Sequence, residues 1–234
     1  MRRRQGENQP PDPSLYDYVI YRCVIGSKAF GLDDADSDTD RRGIYLPPAD
    51  LQWSLSGVPE QLGNQETEEC YWELGKFLQL ALKANPNALE CLYTPMVEVS
   101  TPLADELLGM KQVFLSRLMG RTYGCYVGAQ FRLMDRRVRQ STPIKWQHAM
   151  HLIRLLLSGI TAFRDGWLPV RVNEHRDMLL AVARAELPWQ EVDAWRQALQ
   201  AEFENALETS ALPELPDYER VNAFLVKARR SMIR

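Results

Sequence analysis

Residues 26–45 of this 234-residue chain read GSKAFGLDDADSDTDRRGIY, and this stretch decides the fold that the sequence predicts. The residues before it, 18–25, are rich in β-branched and aromatic side chains, which predicts a strand that ends at Gly26. Ser27 begins a turn or short helical turn, and the acidic residues 33–37 predict a loop. Residues 39–46 predict a second strand, which is ended by two prolines.

Asp38 and Asp40 are spaced so that their carboxylates point to the same side of a strand, because residues i and i+2 share a face. Two carboxylates held so close repel each other and therefore favour a bound cation. Oxygen ligands of this kind suit Mg²⁺ or Mn²⁺. The spacing predicts a metal site on this strand.

Gly26 and Ser27 add the features of a phosphate-binding turn. Glycine allows the backbone to approach a phosphate closely, and the amide groups at the start of a helical turn can donate to its oxygens. Ser27 supplies a hydroxyl at the same point. A phosphate-binding turn beside a carboxylate pair predicts phosphoryl or nucleotidyl transfer with two metal ions.

Two simpler interpretations of the acidic stretch remain open. An Asp-x-Asp pair in an acidic loop is commonly only solvated. Asp36, Asp38 and Asp40 also alternate as in a calcium-binding loop, but Gly43 is misplaced for the EF-hand pattern and its later glutamate is missing. The coincidence of strand, turn and strand favours the functional interpretation.

Composition limits the classes of function. Hydrophobic residues make up 45% and charged residues 25%, as in an ordinary soluble globular protein. The net charge of −3 means that a triphosphate or nucleic acid must be held by local basic patches and metal. No apolar run is long enough to span a membrane. The four widely spaced cysteines predict reduced core thiols in a cytoplasmic protein rather than a zinc site.

The fold class follows from the periodicity of the remaining sequence. A third strand is predicted at residues 68–72 and a helix at 73–83, while residues 49–66 predict a long loop or weak hairpin. Helical periodicity then predicts helices at 103–109, 112–138, 143–165, 174–186, 188–208 and 217–231. We therefore expect an α+β protein, with a disordered lead (1–14), a small mixed sheet with flanking helices (15–100) and an all-helical carboxy-terminal domain (101–234).

The motif resembles the signature of DNA-polymerase-beta-like nucleotidyltransferases, in which Gly-Ser precedes an Asp-x-Asp pair. Longer blocks are similar to the predicted bacterial and phage nucleotidyltransferases assigned to an RNA-repair pathway. These blocks are GSKAFG at 26–31, SDTDRRGIY at 37–45, NPNALE at 85–90 and HAMHLIRLL at 148–156. The resemblance covers most of the chain. It implies a palm-like nucleotidyltransferase sheet in residues 15–100.

The resemblance also implies a third acidic residue on a later strand, which helps to hold the metal and can accept a proton from the attacking hydroxyl. By position relative to Lys76 and Phe77 it implies Glu68, although aspartate is the residue expected there. Three further glutamates are close enough in sequence to take this role: Glu66, Glu69 and Glu73.

The helix predicted at 143–165 is apolar over most of its circumference and carries one narrow polar stripe. The stripe consists of Gln147, His151, Arg154, Ser158 and Asp165. It faces either solvent or a cleft; the resemblance also marks His151 and Arg154, which favours the cleft. Arginine would then bind phosphate and histidine would donate or stack. Lys145, and Lys28 and Arg42 beside the motif, are further candidates for substrate binding.

A basic run lies in the middle of the chain, in which Arg132, Arg136, Arg137 and Arg139 follow Lys111 and Arg121. It predicts either a patch for RNA or triphosphate or only a solvated helix face.

The predicted function is transfer of a nucleoside monophosphate from an NTP to a hydroxyl, with release of pyrophosphate. Asp38, Asp40 and Glu68 would hold two Mg²⁺ (or Mn²⁺) ions. The resemblance implies that the acceptor is an RNA end and that an RNA ligase or other repair proteins are partners. Two alternatives stay open: a protein or small-molecule acceptor, and a nucleotide-binding component of a repair assembly without catalysis.

Overall fold

A computed structural model of the protein describes residues 13–64 and 67–233. Its sheet has five strands in the spatial order β3-β4-β2-β1-β5. The strands are β1 (Val19–Val24), β2 (Arg41–Tyr45), β3 (Gln61–Asn64), β4 (Glu69–Glu73) and β5 (Val97–Ser100). β2 and β4 run parallel, and the other neighbouring pairs are antiparallel. The predicted mixed sheet and the α+β class are confirmed.

Ten α-helices are present among the described residues. They are α1 (Gly26–Phe30), α2 (Ala49–Trp53), α3 (Leu74–Leu82), α4 (Pro86–Tyr93), α5 (Pro102–Gly109), α6 (Cys125–Arg139), α7 (Trp146–Asp165), α8 (Arg176–Ala183), α9 (Trp189–Thr209) and α10 (Tyr218–Arg230). All strands precede α5, so the carboxy-terminal half is helical as predicted. No helix within residues 13–64 and 67–233 is both long and apolar enough to cross a membrane.

Local sequence explains where several helices begin. The side chains of Asn85 and Thr101 accept hydrogen bonds from backbone N–H groups three residues later, at the starts of α4 and α5. A proline follows each of these residues, in the first helical position, where no N–H is needed. Asp217 caps α10 through its side chain in the same way.

The main core lies between the sheet and the helices. Tyr21, Cys23, Ile44 and Trp72 supply the sheet's contribution, and one continuous cluster of buried side chains extends from them through α3, α4 and α7 to Ala228 in α10. This cluster crosses the predicted boundary at residues 100 and 101, which coincides with the end of β5. The division into two domains stays a prediction.

The opposite face of the sheet carries a second, smaller core. A 3₁₀ helix at Pro13–Tyr18 covers this face, and Leu15 packs there with Tyr45, Leu62 and Tyr71. Of the lead predicted at residues 1–14, residues 1–12 lie outside the described part of the chain. Pro13 and Ser14 belong to the 3₁₀ helix, so the prediction was wrong for them.

Four other expectations need correction. β2 begins at Arg41 rather than at residue 39, so the acidic pair precedes the strand. The segment predicted as a loop or weak hairpin contains α2 and β3. The helix predicted at 112–138 is divided into a 3₁₀ turn (Lys111–Phe114), a π-helical turn (Gly120–Gly124) and α6. Cys23 and Cys91 are buried as expected, whereas Cys125 is exposed.

Gly43 is required by the close approach of β1 and β2. A Cβ atom at this position would lie 2.0 Å from the carbonyl oxygen of Tyr21 and 2.8 Å from Cδ1 of Tyr71. We expect Gly43→Ala to lower the free energy of unfolding by about 1–3 kcal/mol or more, because backbone must move to accept the methyl group. Urea denaturation measures this change.

Gly63→Ala in β3 is the matched control, because its Cβ would meet nothing closer than 3.9 Å. We expect it to change stability by less than about 1 kcal/mol. Equal losses in the two variants would contradict the steric explanation.

Candidate functional site

The predicted motif lies at the mouth of a cleft of about 1080 Å³ between the sheet and α7. One wall consists of the turn at Gly26 and Ser27 together with Asp38 and Asp40; α4 and α7 form the floor and the other wall. This volume slightly exceeds the range of roughly 300–1,000 Å³ that is usual for a site that holds a single small ligand. The cleft therefore has room for two reactants.

The first turn of the motif needs glycine for two reasons. Gly26 has a φ of +74°, which is costly for other residues, and a Cβ there would lie 2.4 Å from Oδ2 of Asp40. Gly31 ends α1 in the left-handed conformation. The N–H of Ile25 donates to the carbonyl of Asp40 at 3.0 Å, which continues the pairing of β1 and β2. Gly26 and the Asp40 carboxylate are thus held side by side.

Asp38 and Asp40 lie in the loop before β2, and both line the cleft. Asp38 is exposed, and Asp40 is partly buried. The Nζ atom of Lys28 donates to the hydroxyl of Thr39, between the two aspartates, at 2.5 Å. Lys28 is not among the residues that line the cleft. Its contact fixes the loop that carries the carboxylates.

The structure distinguishes among the candidates for the third carboxylate. Glu68 lines the cleft with Asp40. Glu69 lies on the opposite face of β4, with Tyr71, as the alternation of a strand requires. Glu73 is used structurally: it caps α3 through the N–H of Lys76 at 3.1 Å and accepts from Gln52 at 2.6 Å. Glu66 lies outside the described residues.

Glu68 has a strained backbone, with a φ of +52°. Its carbonyl accepts from the N–H of Arg41 at 3.2 Å and from Nη1 of Arg42 at 2.9 Å. Nη2 of Arg42 also reaches Oδ1 of Asp40 at 3.3 Å. Arg42 therefore connects the loop that carries Asp40 to the turn that carries Glu68.

The mouth of the cleft carries uncompensated negative charge. Within the described part of the chain, the Asp38 and Glu68 carboxylates have no ion pair, and Asp40 has only its contact with Arg42. Hard oxygen donors with excess negative charge fit Mg²⁺ or Mn²⁺ chemically. No three His, Cys, Asp or Glu side chains in residues 13–64 and 67–233 are gathered closely enough to enclose an ion.

The floor of the cleft contains a buried ion pair between α4 and α7. Nη2 of Arg154 donates to Oε1 of Glu90 at 2.6 Å, and the two side chains are 4% and 5% exposed. The guanidinium carbon lies 3.6 Å from the centre of the Phe30 ring in α1. Nε and Nη1 of Arg154 are shielded from solvent and have no partner among the described residues. The polar stripe of α7 thus faces the cleft at Arg154, not solvent.

His151 lies one turn before Arg154 in the same wall. Its ring meets the edge of Phe30 at 5.8 Å between centroids. Burial, and secondly the nearby charge of Arg154, lower the pKa of His151 to about 4. The imidazole is therefore neutral near pH 7, when it can accept or donate a hydrogen bond without adding charge.

Lys145 lies outside the main cleft. It lines an adjoining groove with Trp146, and this groove shares Gln147, His148 and His151 with the cleft. Nε2 of His148 is 3.3 Å from Oε1 of Gln130 in α6. The groove therefore connects the cleft to the surface of α6.

The residues of the cleft that were not singled out from sequence include Phe30, Glu90 and Tyr126. Phe30 and Glu90 are part of the sequence blocks that carry the family resemblance, so a signal was present. Tyr126 carried none, because its place at the cleft depends on how α6 packs against α7.

Comparisons with known proteins agree with this geometry. Residues 12–227 match the family described as RlaP, RNA repair pathway DNA polymerase beta family. Over 82 residues the chain is 35% identical to the uncharacterized protein YcgL of Bacillus subtilis (strain 168). That alignment covers 34% of this chain and 32% of YcgL, so the chain spans about a third of the length of this curated relative. No solved structure gives a significant match.

Removal of Arg154 alone should be strongly destabilising, because Glu90 is left buried without its cation. We expect Arg154→Met to lower the free energy of unfolding by about 3–5 kcal/mol, and the double variant Arg154→Met/Glu90→Met to recover part of this loss. Urea denaturation of the single and double variants measures the coupling.

Arg164→Met provides the control on the same helix. Arg164 pairs with Glu202 at 2.7 Å, but the two side chains are 48% and 42% exposed, so we expect a loss below about 1 kcal/mol. Similar losses of stability for Arg154→Met and Arg164→Met would show that burial does not make stability more dependent on the ion pair.

His151 should make the protein less stable in mild acid. Its pKa of about 4 in the folded state lies below the usual value of 6.5, so the unfolded chain binds the proton first. The contribution of neutral His151 to the free energy of unfolding is fully present above about pH 6.5. It is lost as the pH falls towards 4, by roughly 3 kcal/mol over the whole interval.

Denaturation at a series of pH values should show this slope in the wild type and a shallower one in His151→Gln. His175→Gln removes an exposed histidine, and we expect it to follow the wild type. If stability depends on pH in His151→Gln as it does in the wild type, His151 is not the group responsible.

Proposed function

This chain belongs to the RNA repair pathway DNA polymerase beta family, and we propose that it transfers a nucleoside monophosphate from an NTP to the hydroxyl of an RNA end. The observation that carries the proposal is that Asp38, Asp40, Glu68 and the Gly26–Ser27 turn all line the same cleft. The uncompensated charge there suits cation-assisted chemistry on a phosphate.

In the proposed reaction the hydroxyl oxygen of the acceptor attacks the α-phosphorus of the NTP. A new P–O bond forms, and the bond from the α-phosphorus to the oxygen that bridges to the β-phosphate breaks. Pyrophosphate leaves with that bridging oxygen. The hydroxyl proton passes to a carboxylate at the mouth of the cleft, for which Glu68 is the candidate because it lines the cleft without an ion pair among the described residues.

Two Mg²⁺ (or Mn²⁺) ions are part of the proposal, with Asp38, Asp40 and Glu68 as their ligands. When bound, such ions make the acceptor hydroxyl easier to deprotonate and neutralise charge on the triphosphate. The ligand types support this assignment.

The remaining side chains bind and orient the substrates. Gly26 and Ser27 would contact phosphate oxygens. Neutral His151 and the Phe30 ring offer a surface against which a base or ribose could pack. Arg154 acts here as a positioning residue, since Nη2 holds Glu90 and its other nitrogens are shielded from solvent. Direct phosphate contacts of Lys28, Arg42, Lys145 and Arg154 remain predictions.

The family description supports repair proteins as partners of this reaction. A cytoplasmic location is part of the same proposal, supported by the four free cysteines.

The proposal predicts that the carboxylates at the cleft mouth, and not their neighbours, control transfer. With Mg²⁺ or Mn²⁺, α-labelled NTPs and RNA, we expect labelled RNA and pyrophosphate from the wild type. Asp38→Asn/Asp40→Asn and Glu68→Gln should each lower the rate on the order of 100-fold or more, because charge stabilisation at the phosphate is lost.

Glu69→Gln is the matched control, since it removes the same charge one residue away on the other face of β4. We expect its rate to stay within about threefold of the wild type. Protein and aminoglycoside acceptors are offered in parallel. Labelling of those acceptors but not of RNA would refute the RNA acceptor, and full activity in Asp38→Asn/Asp40→Asn would refute the mechanism.

A further inference from the structure

α6 carries a group of arginines that the cleft does not use. Arg132, Arg136, Arg137 and Arg139 have no acidic partner within residues 13–64 and 67–233. Elsewhere in the described chain, arginines such as Arg117, Arg164 and Arg229 each contact a carboxylate. In a protein of net charge −3, four unpaired guanidinium groups on one helix form a local positive surface.

All four arginines are exposed; three of them share one strip of α6, and Arg137 lies on the flank that also carries Tyr126. Successive residues of a helix are about 100° apart, so Arg132, Arg136 and Arg139 fall within about 60° of one another, and Arg137 lies within about 20° of Tyr126. The side chains that face the core, such as Val127, Phe131 and Met134, are buried. Asp135, the acidic residue of α6, accepts from Trp189 at 2.9 Å and is thereby occupied.

The amino-terminal end of α6 borders the cleft. Tyr126, at the start of α6, lines the cleft and is 43% exposed, and the centroid of its ring lies 6.5 Å from that of His148. Nη1 of Arg132 lies 3.5 Å from the position that a Cβ atom of Gly128 would take, so this side chain extends towards the amino-terminal half of α6. His148 also lines the adjoining groove that contains Lys145.

We propose that a single-stranded RNA crosses α6 obliquely, with its phosphates on Arg132, Arg136 and Arg139 and a base on Tyr126, about 80–140° further around the helix, so that its end enters the cleft. The combination of guanidinium groups and an exposed aromatic ring at the entrance suits a strand that has both phosphates and bases. An acidic protein would match the charges of the arginines but has no bases to stack on the ring of Tyr126. The inference rests on the proposed function, which places the reacting end of the RNA strand in the cleft.

The length of the surface sets a site size. Tyr126 to Arg139 is 13 residues, or about 20 Å of helix. At about 3.4 Å per nucleotide of a stacked strand this corresponds to about six nucleotides. Affinity should therefore rise with RNA length up to about six to eight nucleotides and then level off.

The test measures binding of labelled single-stranded RNA to the full chain by fluorescence anisotropy, without NTP or metal. We expect Arg132→Gln/Arg136→Gln to raise Kd about tenfold at moderate salt. The slope of log Kd against log salt should fall by about 1.4, which is about 0.7 for each lost phosphate contact.

Arg220→Gln/Arg230→Gln is the matched control. It removes the same charge from α10, where both arginines are exposed, have no acidic partner in the described chain and lie away from the cleft. We expect its Kd to equal that of the wild type. Equal weakening by both pairs, or no RNA binding by the wild type, would overturn the proposal.

Two further measurements separate this proposal from its rivals. If the arginines only stabilise the carboxy-terminal end of α6, Arg132→Gln/Arg136→Gln lowers the unfolding temperature but leaves Kd unchanged. If an acidic peptide of equal charge displaces the RNA as well as unlabelled RNA does, the surface is not selective for RNA. Either result would overturn the RNA surface.

The binding assay is independent of catalysis. Asp38→Asn/Asp40→Asn should bind RNA at least as well as the wild type, since it removes negative charge near the strand. Binding that depends on α6 without any transfer would refute the proposed function alone. Transfer to RNA that is unaffected by the α6 variants would refute this surface alone.

Discussion

The arrangement of the cleft depends on one buried contact, in which the Arg154 guanidinium lies on the Phe30 ring and binds Glu90. Glu90 belongs to α4, Arg154 to α7 and Phe30 to α1, the turn that carries the motif. A buried charge is tolerated only when it is paired, so these three elements keep their relative positions. Because α7 is the central helix of the carboxy-terminal half, the same contact places the helical wall opposite the carboxylates. The contact of Arg154 with Glu90 and Phe30 therefore both forms the floor of the cleft and connects its sheet side to its helical side.

Above this rigid floor, the mouth of the cleft is built from loops and turns with unfavourable features. Glu68 has a positive φ angle, which is strained for a residue other than glycine, and Asp38, Asp40 and Glu68 together carry more negative charge than Arg42 balances. Strain and charge of this kind cost stability and are usually found where a site must bind something. Arg42 limits the cost, since it holds Asp40 and the carbonyl of Glu68 at the same time.

Charge is distributed along the molecule in a way that fits a polyanionic substrate. The reaction centre is negative and suits cations, while the neighbouring exposed side of α6 is positive. Between them lie largely neutral groups, Tyr126, His148 and His151, because burial lowers the pKa of both histidines. The arginines of α6 could thus attract an RNA strand, while the neutral groups between α6 and the carboxylates would not bind its phosphates. This order of charges depends on how α6 and α7 pack, with Gln130 in contact with His148.

The sequence by itself determined the class of fold, the Gly-Ser turn and the acidic pair, because these depend on local periodicity and on residues close together in the chain. It also located most helices within a few residues, as the caps at Asn85 and Thr101 are local signals. β3 and β5 were missed because each has four residues and gains its stability from a neighbouring strand. Only the tertiary structure separated Glu68 from Glu69 and Glu73, since strand face and capping decide which carboxylate reaches the cleft. Only the tertiary structure showed that Arg154 is paired with Glu90, because residues 64 positions apart meet through packing alone.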